Sequence, residues 1–140
     1  MEKVGVELEY LGDLDFKLKF AHGAIDDLVI AGSRVSPEQM EGVSRKLLAA
    51  SVVYCTTGWL FTLLKKTRVD VGALRSKAEV TMAKDESGRD FVDEISLQVQ
   101  VEVPDQDLIA FERCKEIVER GCLITRSLRK GIKVTASISQ

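Results

Sequence analysis

The run LLAASVVYCTTGWLFTLL, Leu47 to Leu64, carries no charge across eighteen positions. That touches the lower length limit for a helix that crosses a bilayer. Ser51, Tyr54, Thr56, Thr57, Gly58 and Thr62 dilute it, however, and basic residues flank both ends (Arg45 and Lys46; Lys65, Lys66 and Arg68). Such symmetric flanks encode no sidedness. A helix apolar all round is otherwise the buried helix of a globular core. That is the expectation here, with no membrane among the partners.

The rest of the chain reads as elements that pack on this helix. Val4, Val6, Leu8 and Tyr10 alternate with Gly5, Glu7 and Glu9, which predicts a first strand. LGD turns the chain, and Leu14, Phe16, Leu18 and Phe20 alternate through a second. HG turns it again, and DDLVIAG gives a third, shorter strand. SPEQ, at 36 to 39, is a helix start: Ser36 can cap, Pro37 suits the first helical position and Gln39 completes a capping box. Gly42 and Ser44 can interrupt the helix before the uncharged run, which extends to about Lys66.

SKAEVTMAK and EISLQVQVEV alternate around DESGRD as a long hairpin, ended by Pro104. DQDLIAFERCKEIVERG is a second helix. Leu108, Phe111, Cys114, Ile117 and Val118 share its apolar face, and Gly121 stops it. A short helical turn, LITRSL, precedes a last strand, IKVTASIS. Segregated strand pairs with few βαβ units argue for an α+β fold. The 140 residues suit a single domain, 1–140.

A net charge of −2 argues against nucleic acid as a partner, because phosphate binding needs clustered Lys and Arg. Lys65-Lys66 and Arg129-Lys130 read as solvated helix ends. MEKVGVELEY lacks the apolar core of a secretory signal, so a cytoplasmic location is expected. There, cysteines are free thiols, catalytic thiols or core residues rather than a disulfide framework. His22 is the only histidine, placed in a turn, and with scattered cysteines it makes no tetrahedral metal site. No glycine-rich phosphate loop is present. Glu38 and Glu41 read as a solvated pair.

The cysteines divide the remaining possibilities. Cys114 is centred on an apolar stripe, as a core cysteine would be. Cys122 follows Gly121 and precedes a helical turn, where a helix dipole can lower a thiol pKa. Cys55 is mid-helix among Tyr54, Thr56, Thr57 and Trp59, and by composition alone it would be another core cysteine.

RKLLAASVVYCTTGWL resembles the first core helix of the OsmC/Ohr family, EELLAAA-x-x-x-C. FERCKEIVERGCLITRSLRKGIKVTASI resembles its C-terminal helix, second cysteine and last strand, A-x-x-x-C-P-V-S-x-A-L followed by alternation. The element order fits across nearly the whole chain. The resemblance implies an OsmC-like fold with antiparallel sheets wrapped around two central helices in an intertwined homodimer. It also implies a cysteine-based hydroperoxide reductase acting on organic hydroperoxides, with Cys55 peroxidatic and Cys122, 67 positions later, resolving. Such a pair needs Cα atoms that approach within about 4.4–6.8 Å. No metal or organic cofactor is implied, only an external dithiol reductant.

The family's thiolate-activating arginine falls nearest to Arg34. Arg45 stands where the family has the glutamate that holds that arginine, and Leu123 stands where it has proline. Arg34 or Arg45 is therefore the expected activating cation. The alternative on the same scaffold is a non-catalytic protein that binds a small apolar ligand at the dimer interface. A third class is an interaction module in which all three cysteines are core.

Overall fold

The computed structural model describes residues 2–21 and 23–140, so His22 lies outside the described residues. The architecture is α+β, in two compact units, Met1–Lys46 and Leu47–Gln140.

In the first unit, strands β1 (Glu7–Gly12), β2 (Asp15–Lys19) and β3 (Leu28–Ala31) form an antiparallel sheet in that order. Tyr10 faces Phe16 across the first pair, with ring centroids 5.5 Å apart. The Tyr10 hydroxyl donates to the Asp13 carbonyl in the connecting turn. The last pairing is Glu7 with Lys19, so β1 starts three residues later than the alternation predicts. A strand extends only as far as its hydrogen-bonding neighbour, and Val4 is left 87% exposed.

A tight turn, Gly32–Arg34, follows β3. Asp15 holds it by accepting from the Ser33 hydroxyl at 2.7 Å and the Ser33 N–H at 3.1 Å. Those bonds keep its carboxyl below the ordinary carboxylate range. A Cβ on Gly32 would run into the Leu14 carbonyl oxygen, so only glycine fits. Helix α1 (Pro37–Glu41) starts with the predicted reciprocal capping box of Ser36 and Gln39. Gly42 closes it, and α2 (Val43–Lys66) begins one residue later.

In the second unit, α2 packs with the hairpin of β4 (Leu74–Lys84) and β5 (Asp90–Val101) and with α3 (Leu108–Glu119). Leu60, Leu64, Val69, Cys114 and Val118 form the core, with Val99, Val101 and Phe111 against it. Thr57 Oγ1 and Ser76 Oγ, 2.6 Å apart, fasten α2 to β4. The hairpin turn is organised by Asp85, whose carboxylate accepts from Ser87 and Arg89 N–H groups. The predicted alternation slips once, at a bulge between Thr81 and Met82. After Gly121 a short helix, α4 (Leu123–Lys130), completes the unit.

Two expectations are corrected. IKVTASIS forms no strand: it pairs with none of the described strands, and Val134 and Ile138 are 83% and 97% exposed. The uncharged helix is also not buried all round. Val52, Leu60 and Leu64 are covered, but only 22% of its most apolar window is buried, and Tyr54 is 78% exposed. The covered face turns to the hairpin and α3. By length and composition alone the helical stretch Pro37–Lys66 could cross a membrane, a test that a globular core helix also passes.

Leu64 is fully buried, so Leu64→Ala is expected to cost about 2–5 kcal/mol. Gly32→Ala, which forces a Cβ into backbone, is expected to cost about 1–3 kcal/mol. Urea unfolding midpoints measure both, and unchanged midpoints would contradict this packing.

Candidate active site

Gly121, at φ +112°, lets the chain reverse after α3 in a conformation that other residues rarely adopt. A Cβ there would also press on Arg126 and Arg129 at 3.0 Å. The reversal delivers Cys122, in extended backbone, to the N-cap of α4. Its sulfur does the work of a capping serine, accepting from the Thr125 N–H at 3.4 Å. The Thr125 hydroxyl lies 3.3 Å from the same sulfur, and the Thr56 hydroxyl of α2 lies 3.6 Å from it.

Cys55 precedes Thr56 on α2 and is half-buried, whereas Cys122 is 3% exposed. Cys55 lies close enough to the Cys122 thiol, and to the backbone N–H groups of Ile124 and Leu123, to be perturbed by each. Burial and the interaction with Cys122 push the Cys55 thiol above its ordinary value. Burial also pushes Cys122 up, but the bonds from Cys55, from the Thr125 hydroxyl and N–H, and from the Thr56 hydroxyl outweigh it. They bring Cys122 down to about 7. The two thiols therefore titrate as a pair.

Both sulfurs open into a cavity of about 660 Å³. Tyr54, Trp59, Ile117 and Leu123 give it apolar walls, and Arg120 and Arg126 bring positive charge with no acid among the lining residues. Thr56 and Thr125 also line a second cavity, of about 600 Å³, walled by Leu60, Val99, Phe111 and Val118. Among the described residues no three His, Cys, Asp or Glu side chains are placed to hold a metal ion. The arrangement places two thiols on one cavity, one of them with a lowered pKa, as thiol nucleophiles require.

Residues 32–137 match the family described as OsmC-like protein. The chain belongs to the OsmC-like family. No curated protein matches it. Its fold is similar to that of an OsmC-like protein from Mycoplasma pneumoniae, at 11% identity and a TM-score of 0.67, covering 91% of this chain and 88% of that one. An OsmC-like protein of unknown function from Vibrio cholerae gives 14% and 0.63, covering 90% and 93%. An OsmC-like hydroperoxide resistance protein from Jannaschia gives 14% and 0.51, covering 96% and 91%. Likeness at these identities speaks for the OsmC-like fold.

Of the residues singled out in the sequence, Cys55 and Cys122 are brought together. Cys114 is in the core, its sulfur 3.7 Å from the Thr67 hydroxyl. Arg34 is exposed at the end of the turn after β3, and the Arg45 Nε donates to the Glu41 carbonyl in the first turn of α2. Both belong to the first compact unit and the thiols to the second. The sequence reading missed Thr56, Thr125, Arg120 and Arg126. Thr125 was within reach, because a cap at Cys122 aims at the third residue of its helix. Thr56 was not, since 66 positions separate it from Cys122.

The pH dependence of thiol alkylation follows from these bonds. A thiol with a depressed pKa is reactive above that pKa and loses reactivity as the pH falls through it. Iodoacetamide modification of Cys122 is expected to reach half its maximal rate near pH 7. Thr125→Val is expected to raise that midpoint by roughly one unit, and Thr125→Ser to restore it. An unmoved midpoint in the valine variant would contradict the assignment.

Proposed function

We propose that this OsmC-like protein is a thiol-dependent peroxidase that reduces organic hydroperoxides through Cys55 and Cys122. The observation that carries the reading is that Cys55 and Cys122 line one largely apolar cavity. One sulfur, as thiolate, attacks the terminal peroxide oxygen: an S–O bond forms, the O–O bond breaks and the alcohol leaves. The other thiol then displaces water from the sulfenic acid and a disulfide forms. An external dithiol reduces that disulfide, and no metal or organic cofactor takes part.

The apolar walls suit a bulky or fatty peroxide. Arg120 and Arg126 are the cations lining the cavity, and Arg34 and Arg45 remain the candidates that the family resemblance adds. A second copy of the chain, in an intertwined homodimer, would cover the exposed face of α2 and pair the unpaired segment after Gly131. A cytoplasmic location would keep both thiols reduced between turnovers. The likeness in fold to an OsmC-like hydroperoxide resistance protein agrees with this reading.

The second cavity favours one other function, binding of a small ligand with an apolar body, because Leu60, Leu97, Val99, Val101, Phe111 and Val118 line it beside Lys115, Glu119 and Arg129, and neither cysteine of the pair does. Native mass spectrometry of the purified protein would reveal such a ligand as added mass.

Consumption of tert-butyl hydroperoxide with dithiothreitol tests the peroxidase. Cys55→Ser and Cys122→Ser are each expected to lower turnover by about a hundredfold or more, and Cys114→Ser to leave it nearly unchanged. Full turnover in either of the first two variants would end the redox-pair reading. Sedimentation equilibrium should give twice the 15.5 kDa chain mass, and a monomer would contradict the homodimer.

A further inference from the structure

We infer that the second cavity, walled by α2, β5, α3 and α4, holds an amphipathic anion of the fatty-acid class, with its carboxylate on Arg129 and its tail along the core. The inference rests on the small-ligand reading above and adds the charge of that ligand. It requires no step at the thiols.

The cavity opens off the hydrophobic core. Leu60 and Val118 belong to the core itself, and Val99, Val101 and Phe111 pack against it. Those three and Leu97 line the cavity and stay half-buried. Apolar surface left partly in water beside a core gains by being covered. A volume of about 600 Å³ lies within the range of small-ligand sites. All of the lining residues belong to the second compact unit.

The charges along the wall select the head group. The charged lining residues are Lys115, Glu119 and Arg129. Lys115 Nζ lies 3.8 Å from Glu119 and 3.9 Å from Glu112, so the lining acid already has its cation. Arg129 makes no ion pair among the described residues. Its Nη1 donates to the Arg120 carbonyl at 3.0 Å, which holds the guanidinium over the reversal at Gly121. The missing Cβ of Gly121 leaves room for it, since one there would lie 3.0 Å from that nitrogen.

That bond uses one of the five N–H donors of a guanidinium. The others form a planar fork, already held in place, of the kind that fits a carboxylate. α4 adds Arg126 and Lys130 and no acid, so this end of the cavity is positive. One unpaired cation matches one negative charge. That favours a carboxylate over a phosphate monoester, which carries about −1.5 to −2 at pH 7. The thiol cavity is a different place, lined by Arg120 and Arg126 and not by Arg129.

Isothermal titration calorimetry of the full chain, stripped of bound lipid, with decanoate, decanol and decyltrimethylammonium tests the site. Decanoate is expected to bind at a single site per chain, with decanol about tenfold weaker or more and the cation weaker still. Arg129→Gln is expected to weaken decanoate by about tenfold or more with decanol unchanged, and Arg129→Lys to recover part of the loss. Leu97→Trp, which fills the cavity, should abolish binding of both. Equal binding of decanoate and decanol overturns the charge assignment and leaves the small-ligand reading standing. Loss of decanoate binding in Arg126→Gln, with none in Arg129→Gln, puts the carboxylate in the thiol cavity and overturns the site. Binding of none of the three probes overturns the inference and the small-ligand reading together. That is the result expected if a strand of a second copy fills the cavity along the edge of β5 that no described strand covers.

Discussion

The Cys122 sulfur joins two parts of the fold that would otherwise be independent. It caps α4 through the Thr125 N–H and meets α2 through the Thr56 hydroxyl. Three features depend on that junction. The reversal at Gly121 must be tight enough to bring the sulfur to α2. The α2 face bearing Thr56 must turn toward α4 while Leu60 and Leu64 turn into the core. Cys55, one residue before Thr56, is then carried to the cavity that Cys122 lines. A capping serine would satisfy the helix equally well, so sulfur at this position is better explained by chemistry than by stability.

Most of the fold was legible because local rules and tertiary packing agree. The capping box at Ser36 and Gln39, the hairpin around DESGRD, and the stop at Gly121 each follow from side chains within a few residues of one another. The first strand and the last segment were less legible for a shared reason. Alternation marks a segment fit to be a strand, but pairing decides whether it is one. Val4 lies beyond the end of β2, and the residues after Gly131 pair with none of the described strands. The uncharged run misled in the same way. Its composition predicts burial on every side, and one chain buries only the side that holds Val52, Leu60 and Leu64.

The candidate site was legible in its sulfurs and hidden in its supports. Two cysteines on separate elements could be named from the family pattern, and Cys114 could be assigned to the core from its place on an apolar stripe. Their environment could not be read in the same way. The family pattern points upstream for a cation, to Arg34 and Arg45. Arg120 and Arg126, which flank Cys122 in the chain, line the cavity around the thiols. The threonines were masked by their commonness, since a helical threonine usually bonds its own backbone. Only the packing of α4 against α2 shows that Thr56 does otherwise.

The central claim is that Cys55 and Cys122 form one redox unit. The most direct test is to add one equivalent of cumene hydroperoxide to the reduced protein, block the remaining thiols within seconds and map the peptides. The account predicts a Cys55–Cys122 disulfide with Cys114 still free. Three thiols left reduced, or a disulfide that includes Cys114, would contradict it.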